Sequence, residues 1–508
     1  MVADIRQLLA YVFAVNFCLL FIYSPSQSST YLHKLSTEVA PLYENAEVTH
    51  WNESEPWYDY LSKLTTQTDE LNLIREEDYC SKVQNYQKHH KYTFDSRGIP
   101  VKEDRKVFST YSPGMFVKRI LANYTSLVSQ KHYGGMKKDL TPFETLDPST
   151  TLFFHLKPSW HKDFEIGVHF LCKGQKYNHI PGNIYLNFKD ITANNFREYG
   201  ELYRDKQHCF DPWKIHPFTY DLTDEDQCLE FMEQLEEDQF SPEVKWLLKK
   251  SRGAHRGEGV FVVDQQKARE TLLEDCPFEE KFLAQQYIGN PLLINKKKFD
   301  FRVYMLIASM DPLIVLYKDG FVRISMSEFN PNSSEKSSHL TNLKVGKGEM
   351  QSKNLTQEQQ EAILQDQSWS FTRFQEYLKE TGLVEENWID NYMRSHLKKV
   401  MFHLVRMNMH QLLKHPGVFE LFGLDFMLDT NLNLWYLECN LTPAISQTSE
   451  EKSKINTKLI EDIVDIEYAL LFNSDLDSLV ESTNFEWVYD GRKQGMNRYH
   501  GVIDEECL

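Results

Sequence analysis

Two apolar runs near the carboxyl end of the chain predict a pair of strands that carries acidic side chains. The segment at 419–440 reads FELFGLDFMLDTNLNLWYLECN, with a polar turn between its two runs. In a strand, Glu438 and Asn440 share one face, and Asp425 lies across the hairpin from them. Unpaired carboxylates are costly to bury among apolar neighbours, whereas Mg²⁺ binds carboxylate and amide oxygens. The pair therefore predicts a magnesium site at these three positions, with exposed polar positions as the alternative.

A second strand is predicted at 298–309, where KFDFRVYMLIAS alternates polar with apolar residues. Lys298, Asp300, Arg302 and Tyr304 project from the same face of such a strand. Four polar side chains in a row suit either a half-exposed strand or the wall of a polar cleft. The residues alone favour both interpretations equally.

The next run, LIVLYKDGFVRIS at 313–325, predicts a hairpin that turns at Asp319 and Gly320. Asp-Gly is a strong signal for a two-residue turn, because glycine adopts a positive φ without steric cost. Arg323 on the returning strand would then join the polar face of the previous strand. A guanidinium in that position can bind a carboxylate with two parallel hydrogen bonds.

Residues 247–263 read LLKKSRGAHRGEGVFVV, which places two lysines and several glycines between two strand-like runs. Three interpretations compete: a nucleic-acid patch rich in Arg-Gly, an ordinary hairpin, and a loop that folds over a phosphate. The net charge of −18 and the pI of about 5.5 argue against a general nucleic-acid binder. In a phosphate loop, Gly257 and Gly259 would let backbone amides approach the anion, and Lys249 and Arg256 would supply charge. On this stretch alone, the ordinary hairpin is equally favoured.

The rest of the chain mixes strands and helices without a regular βαβ alternation, and residues 24–150 are polar and indicate no function. Such a mixture predicts α+β lobes that face one another across a cleft. The further predicted elements are a strand at 151–156, a turn and helix at 176–199, an acidic amphipathic helix at 225–238, strands at 244–248, 259–263 and 281–288, and a helical region at 371–415.

An apolar run, LLAYVFAVNFCLLFIY, occupies 8–23 and is interrupted only by Asn16. A membrane-spanning helix needs roughly 20 apolar residues, and the core of a signal peptide is shorter. A membrane anchor or uncleaved signal is the favoured interpretation, followed by a cleaved signal peptide and then a buried helix. The flanking charges barely select an orientation.

The eight cysteines are scattered, and none forms a CxxC pair or a Cys/His cluster with zinc spacing. They are therefore predicted to be buried free thiols, and their spacing does not indicate a redox compartment. Sequons are about as frequent as chance allows and decide nothing. They begin at Asn52, Asn123, Asn332, Asn354 and Asn440.

With these elements in order, the chain resembles the tubulin tyrosine ligase-like proteins, a family of ATP-grasp carboxylate–amine ligases. Lys250 stands where that family usually has proline and Cys439 where it usually has valine, and neither change removes a functional group. The match extends over about 150–470. It rests on five ordered blocks: NHIPG with the following FKD, WLLKK…RGEGV, QQYIGNPLLINKKKFDFRVY, HLTN, and FELFGLDFMLD…LWYLECNLTPAI.

The resemblance implies an ATP-grasp fold that binds ATP and Mg²⁺ in its cleft. The implied phosphate contacts are Lys249 and Lys298, with a loop that contains Arg256, Gly257 and Gly259 closing over them. The implied adenine contacts are Gln285, Gln286, Tyr287 and Ile288. Asp300 would lie near the nucleotide. The other implied roles are binding of phosphate or substrate carboxylate by Arg302 and Arg323, a border of the amino-acid site at Asn342, and Mg²⁺ coordination by Asp425, Glu438 and Asn440. The implied divisions are a hydrophobic segment at 1–30, a divergent region at 31–150, an amino-terminal ligase domain at 151–235, the ATP-grasp lobes at 236–475 and a polar tail at 476–508.

The same resemblance implies a ligase that adds an amino acid, with glutamate favoured, to a glutamate carboxylate of a protein. ATP would phosphorylate that carboxylate, and the amine of the free amino acid would attack the acyl phosphate. The expected substrate is the acidic C-terminal tail of tubulin. We expect a monomer that binds no nucleic acid and acts at the cytoplasmic face, at microtubules or cilia, with 8–23 as an optional membrane tether.

Three alternatives stay open: a non-catalytic nucleotide-binding scaffold at a membrane, a ligase for a substrate other than tubulin, and a location in the secretory pathway. The net charge of −18 keeps the second alternative open, because it repels acidic protein tails. The sequon Asn440-Leu441-Thr442 opposes the third. A glycan on Asn440 would destroy the predicted metal site unless folding buried this position first. Because tubulin and most ATP are cytosolic, the resemblance implies a cytosolic catalytic domain.

Overall fold

The computed structural model describes only part of the chain, and all the described residues belong to one compact unit, Leu71–Leu508. No helix within them is both long and apolar enough to cross a membrane. The apolar run at 8–23 lies outside the described residues, so its predicted role stays a prediction. The described ranges are 77–109, 115–128, 147–154, 171–237, 245–251, 260–264, 276–278, 281–331, 366–445 and 449–508, with a few single positions between 333 and 447.

Strands and helices are interspersed along these ranges. The strands are β1 (Lys106–Phe108), β2 (Ser126–Val128), β3 (Leu152–Phe153), β4 (Lys176–Tyr177), β5 (Thr219–Asp221), β6 (Lys245–Lys250), β7 (Val260–Asp264), β8 (Phe282–Gln286), β9 (Leu293–Ile294), β10 (Lys297–Met310), β11 (Leu313–Ile324), β12 (Ser368–Trp369), β13 (Glu420–Leu428), β14 (Leu434–Asn440) and β15 (Phe485–Asp490). The helices are α1 (Glu77–His89), α2 (Met115–Tyr124), α3 (Lys189–Glu201), α4 (Pro212–Ile215), α5 (Glu225–Glu237), α6 (Phe371–Glu380), α7 (Arg394–Asn408), α8 (Glu450–Phe472) and α9 (Leu476–Ser482). A π-helical turn, Ile389–Met393, precedes α7.

The central sheet has the strand order β12-β11-β10-β13-β14, with β15 paired to β11 and β9 paired to β10. All of these pairings are antiparallel. β10 is buried on both faces, which explains its long apolar second half. On one face, the rings of Phe299 and Phe301 pack 5.3 and 5.1 Å from Phe374 of α6. On the other face, residues such as Leu306 pack in a core cluster with Ile463 of α8.

The predicted hairpin at Asp319 and Gly320 is wrong, because residues 313–324 form one continuous strand. The turn lies earlier, at Asp311 and Pro312, between β10 and β11. Asp319 and Gly320 instead form a bulge, since the register with β10 shifts there. A Cβ atom on Gly320 would lie 2.2 Å from the carbonyl oxygen of Arg302, so only glycine fits this close approach. The Asp-Gly dipeptide thus corresponds to a β-bulge in β11 and not to a hairpin turn.

A smaller antiparallel sheet has the order β5-β8-β6-β7 and forms the second wall of the cleft. Its inner face packs Trp246 and Leu248 against Phe231 of α5, so each covers the apolar side of the other. Asp224 caps α5 by accepting a hydrogen bond from the backbone N–H of Gln227 at 3.0 Å. The predicted strands at 244–248, 259–263 and 281–288 and the predicted helix at 225–238 are confirmed. The mixed helices and sheets confirm the predicted α+β class.

The described residues that precede β4 also have a defined structure. β2, β1, β3 and β4 form a parallel sheet that runs from this region into the core. Asp465 of α8 holds it in place, with the guanidinium of Arg105 at 3.0 Å and the hydroxyl of Tyr124 at 2.7 Å. The described residues around Arg105 and Tyr124, in a region where the sequence indicated no function, are therefore anchored on α8.

The prediction that the cysteines are free thiols is wrong for six of them. Cys439 is free and buried, and Cys18 lies outside the described residues. The sequence could not indicate the pairing, because the partners lie 48 to 298 residues apart and only the tertiary structure brings them together. The disulfides are Cys80–Cys172, Cys209–Cys507 and Cys228–Cys276.

Candidate active site

The candidate active site lies between the smaller sheet and the central sheet. Strands β6 and β8 contribute one wall, β10, β11, β13 and β14 contribute the other, and the first turn of α3 closes one end. A pocket between these walls is lined by Lys189, Thr192, His216, Thr219, Lys249, Leu283, Gln285, Leu437 and Glu438.

A chain of hydrogen bonds orients Lys249 at the wall of this pocket. Its ammonium group donates to Oε1 of Gln285 at 2.5 Å, and Nε2 of Gln285 donates to the hydroxyl of Thr219 at 2.8 Å. Nε2 of Gln285 is also 3.2 Å from Nε2 of His216, whose Nδ1 is 3.0 Å from the carbonyl oxygen of Tyr436. A neutral imidazole protonated at Nδ1 satisfies both contacts. Burial lowers the pKa of His216 to about 4, so it stays neutral near pH 7.

Sequence reasoning missed His216 and Thr219. His216 follows α4 directly and Thr219 is the first residue of β5, and no pattern in KIHPFTY distinguishes them from structural residues. Their role follows from contacts with residues far away in the sequence.

Lys249 and Lys298 are two cations of the pocket region. Neither forms a salt bridge with a carboxylate among the described residues, and the ammonium of Lys298 lies 5.0 Å from the ring centre of Tyr287. Burial lowers the pKa of each lysine to about 8. The neighbouring cations Lys189 and Lys298 lower the pKa of Lys249 further. An anion such as a phosphate would relieve this unfavourable charge.

An arginine–aspartate cluster, made of Asp300, Arg302, Arg323 and Asp425, fills the polar face of β10 and its neighbours. Arg302 donates two hydrogen bonds to Asp425, at 2.5 and 3.0 Å, and Nη2 of Arg323 lies 2.9 Å from the same carboxylate. Arg323 also pairs with Asp300, which accepts a further hydrogen bond from the hydroxyl of Thr341. The predicted polar face at Lys298, Asp300 and Arg302 is thus the buried wall of a cleft rather than an exposed edge.

The two aspartates of this cluster titrate in opposite directions. Burial raises the pKa of Asp300, and the negative charge of Asp425 adds to that effect. Burial would also raise the pKa of Asp425, but the guanidinium groups of Arg302 and Arg323 outweigh it and lower that pKa. Asp425 therefore stays an anion near pH 7.

The structure brings together the three residues predicted to bind a metal. Asp425 pairs with Glu438 in the register of β13 and β14. The amide nitrogen of Asn440 lies 3.4 Å from Oδ2 of Asp425 and 3.4 Å from Oε1 of Glu438. Lys189 approaches Oε2 of Glu438 to 3.5 Å. Two carboxylates and an amide are the donor set that Mg²⁺ prefers, and turning the amide of Asn440 over would present its oxygen to an ion.

A glycine makes this close arrangement possible. Gly423 lies opposite Asn440 in the sheet. A Cβ atom at this position would come within 2.8 Å of Pro443 and 3.0 Å of the guanidinium of Arg302. The strand can therefore approach the arginine–aspartate cluster only because residue 423 has no side chain.

The structure describes only some of the other predicted site residues. Arg256, Gly257, Gly259 and Asn342 lie outside the described residues. Tyr287 and Ile288 are buried at the end of β8, whereas Gln286 is exposed. The backbone N–H groups of Gln286 and Tyr287 donate to the carbonyl oxygens of Phe218 and Lys245, so contact with adenine at these two residues would use other groups.

The sequence pattern of the tubulin-tyrosine ligase family matches residues 170–476, which is more than half of the chain. This chain belongs to the tubulin-tyrosine ligase family. The matched range contains every predicted site residue from Lys249 to Asn440. The family membership and the two facing sheets confirm the predicted ATP-grasp-like α+β fold.

Curated relatives match only part of this chain and part of their own length. The protein polyglycylase TTLL10 of Rattus norvegicus is 30% identical over 50% of this chain and 38% of its own length. The probable tubulin polyglutamylase TTLL2 of Mus musculus is 28% identical over 58% of this chain and 51% of its own. The inactive polyglycylase TTLL10 of Homo sapiens is 28% identical over 44% and 34%. The chain thus spans about half or less of the length of these relatives.

Proposed function

We propose that this protein is an ATP- and Mg²⁺-dependent ligase that joins the amine of a free amino acid to a glutamate carboxylate of a protein. The observation that carries this proposal is the position of Lys249 and Lys298, two cations that form no salt bridge with a carboxylate among the described residues. Lys249 of β6 lies across the cleft from Asp425 and Glu438, and Lys298 of β10 lies on the same wall as these carboxylates. Two cations and a divalent-metal donor set around one cleft are the groups that ATP phosphates need.

Each group has a distinct proposed task. Lys249, held by Gln285, and Lys298 bind the phosphates of ATP, and the loop with Arg256, Gly257 and Gly259 closes over them. Adenine lies against Gln285, Gln286, Tyr287 and Ile288. Asp425, Glu438 and Asn440 would hold Mg²⁺, which offsets negative charge at the γ-phosphate when bound. Arg302, Arg323 and Asn342 orient the substrate carboxylate and the incoming amino acid, and Asp300 keeps Arg323 in place.

The reaction needs no covalent enzyme nucleophile. The glutamate carboxylate of the acceptor attacks the γ-phosphorus of ATP, which releases ADP and leaves an acyl phosphate. The amine of the amino acid then attacks the acyl carbon, loses a proton, and phosphate leaves as the amide forms. The cations of the cleft stabilise the negative charge that develops in both steps.

The names of the relatives support the choice of substrates. Two mouse relatives are named as tubulin glutamylases, which supports glutamate as the added amino acid and the acidic tail of tubulin as acceptor. The polyglycylase relatives make glycine the alternative. With tubulin as acceptor, the enzyme would act as a monomer at microtubules or cilia in the cytoplasm.

A direct assay tests the reaction. Purified full-length protein is incubated with ATP, Mg²⁺, labelled Glu, Gly or Tyr, and either tubulin or a synthetic oligoglutamate peptide. We expect label in the acceptor only when ATP and Mg²⁺ are present, and none with Glu438→Gln. Label that is independent of ATP, or that survives in Glu438→Gln, would contradict the proposed chemistry.

A non-catalytic nucleotide-binding scaffold is the second candidate, because one relative is named an inactive polyglycylase. The same preparation distinguishes the two. A scaffold would bind ATP in calorimetry with an affinity that depends on Lys249, and it would label no acceptor with any of the three amino acids.

A further inference from the structure

The most informative feature outside the active site is the cysteine pairing. Of the seven cysteines in the described residues, all but Cys439 are joined in pairs. The Cα–Cα distances are 5.3, 5.3 and 5.7 Å, which lie within the usual range for disulfides. Each pair brings together segments that are distant in sequence. Because three separate pairs of distant cysteines meet at bonding distance, we infer that the disulfides are part of the native fold.

Two of the disulfides attach segments outside the matched family range to that range. Cys80 of α1 is joined to Cys172, just before β4. Cys507, next to the last residue, is joined to Cys209 in the loop after α3. The third joins Cys228 of α5 to Cys276 before β8, in the core behind the smaller sheet. Segments on both sides of the matched range, and the core behind the smaller sheet, are therefore cross-linked.

We propose that this ligase folds and acts in the oxidising lumen of the secretory pathway, and that its acceptor is a glutamate-bearing segment of a protein that resides in or passes through that pathway. Structural disulfides are rare in the cytosol, where thiols are kept reduced, and are common in secretory proteins. Each disulfide forms when two thiols give up two electrons and two protons to the thiol oxidases of that compartment. The reaction rests on the proposed function above, whereas the place and the acceptor class differ from cytosolic tubulin.

The remaining described cysteine is consistent with this compartment. Cys439 is 1% exposed, between Glu438 and Asn440 on β14. A thiol this deeply buried is shielded from exchange with the disulfides, so it does not disturb the pairing of the other six.

Features of the sequence agree with the same compartment. The apolar run at 8–23 is long enough for the core of a signal peptide. Asn123, which begins a sequon, is exposed on α2 and can carry a glycan. Asn440 also begins a sequon, and its half-buried side chain lies 3.4 Å from Glu438 in β14. The proposal therefore requires that this position folds before a glycan is added.

The test uses the full-length chain, tagged at its carboxyl end and expressed in animal cells. Intact cells are treated with N-ethylmaleimide, and the protein is then purified from the medium, the cytosol and the membrane fraction. Peptides are mapped by mass spectrometry with and without reduction, and the membrane fraction is digested with protease with and without detergent.

We expect the protein in the medium or in the protease-protected membrane fraction, with three cross-linked peptides that join Cys80 to Cys172, Cys209 to Cys507 and Cys228 to Cys276. Protein found in the cytosol, or digested without detergent, would overturn the proposal. Free thiols at these six positions would overturn it in any fraction. So would stoichiometric zinc bound by His208, Cys209 and Cys507, whose donor atoms lie close enough together for a metal site.

Variants separate a structural disulfide from a chance contact. Cys228→Ser combined with Cys276→Ser should reduce the amount of protein that leaves the endoplasmic reticulum several-fold, because a structural cross-link is lost. Cys439→Ala is the matched control, since it removes a buried cysteine without a disulfide, and its export should be unchanged. Equal export of the double variant and the wild type would contradict a structural role for this pair.

The acceptor class is tested separately from the compartment. Protein with mapped disulfides is incubated with ATP, Mg²⁺ and labelled glutamate, together with tubulin, an oligoglutamate peptide, or secreted proteins collected from the same cells. Stronger labelling of the secreted proteins than of tubulin supports the proposal, and the reverse overturns it. If no acceptor is labelled although the disulfides and location are as expected, the proposed ligase reaction fails and the compartment stands.

Discussion

Two groups of charges line the same cleft, and they are neutralised in different ways. The arginine–aspartate cluster balances its own charge, because Arg302 and Arg323 each contact Asp425 and Arg323 also contacts Asp300. The lysine pair, Lys249 and Lys298, has no carboxylate partner among the described residues, and burial lowers both pKa values to about 8.

The arginine–aspartate cluster is therefore paired within the protein, whereas the lysine pair requires a bound anion. A self-neutralised cluster keeps its geometry without a ligand, so it can act as the rigid floor of the site. One buried and one half-buried cation are unfavourable until an anion arrives, so the lysine pair is the part of the site that a phosphate stabilises. The following predictions test this comparison, from the largest expected effect to the smallest.

Removing Arg302 should have the largest effect, because it leaves the buried carboxylate of Asp425 short of one partner. We expect Arg302→Ala to lower the free energy of unfolding by about 3–5 kcal/mol, as for other broken buried ion pairs. Urea denaturation without ATP measures this. Arg373→Ala is the control, because its ion pair with Asp366 is exposed, and it should cost about 1 kcal/mol or less. Equal losses in both variants would show that the cluster does not stabilise the fold.

Glu438→Gln should abolish ligation while the fold is retained. It removes one negative charge from the donor set with Asp425 and Asn440 but keeps the shape of the side chain. We expect kcat to fall by about 100- to 1,000-fold, comparable to the loss of one electrostatic group at a reaction centre. Acceptor labelling measures the rate, and thermal unfolding checks the fold. Full activity with unchanged Mg²⁺ dependence would remove Glu438 from the metal site.

Lys249→Ala should weaken ATP binding, because it removes one cation of the lysine pair. A hydrogen bond to a charged group is worth about 1.5–3 kcal/mol, so Kd should rise about 10- to 100-fold. The matched control is Lys250→Ala, since Lys250 is the next residue of β6 and points to the exposed opposite face. Calorimetry gives both affinities. The same Kd for the two variants would contradict phosphate binding by Lys249 and would favour the interpretation of 247–263 as an ordinary hairpin.

The smallest effect should be proton uptake on ATP binding. In the folded protein, both lysines have a pKa of about 8, against about 10.4 for an ordinary lysine. Phosphate binding should raise these values again. At pH 8.5, ATP binding should then take up roughly one to two protons, and at pH 6.5 almost none. Calorimetry in two buffers of different ionisation enthalpy measures the difference, and uptake that does not change with pH would contradict the lowered pKa values.

The lowered pKa values of Lys249 and Lys298 also determine how the stability of the ATP-free protein changes with pH. Between about pH 8 and pH 10.4 the unfolded chain holds these two protons more tightly than the folded protein, so their contribution to stability rises with pH. Below pH 8 both states are protonated, and the cost of the buried charges is fully present. Replacing Lys249 should reduce this pH dependence.

The sequence by itself determined the strands that carry the chemistry and the family to which they belong. The alternation in 298–309 and the paired acidic positions in 419–440 depend on side chains two residues apart, and a strand fixes their face locally. For the same reason Lys298, Asp300 and Arg302 could be assigned to one face before their burial was known. Five ordered blocks then identified the family, and the match over 170–476 confirms it.

Local signals were insufficient where the partner of a residue lies on another element. Asp319 and Gly320 predict a turn by themselves, but pairing with β10 makes them a bulge. His216 acts through Gln285, a residue outside its own segment. Nothing in the composition of 485–490 shows that this segment joins the central sheet beside β11.

Only the tertiary structure decided how the cysteines pair and which charges are balanced. Cys209 and Cys507 form a disulfide although 298 residues separate them, and no spacing rule relates them. Arg323 contacts two aspartates on two neighbouring strands, whereas Lys249 donates to the side-chain amide of Gln285 and forms no salt bridge among the described residues. The physical reason is common to both cases: disulfides and buried ion pairs depend on distances of a few ångströms between side chains, and only the folded chain sets those distances.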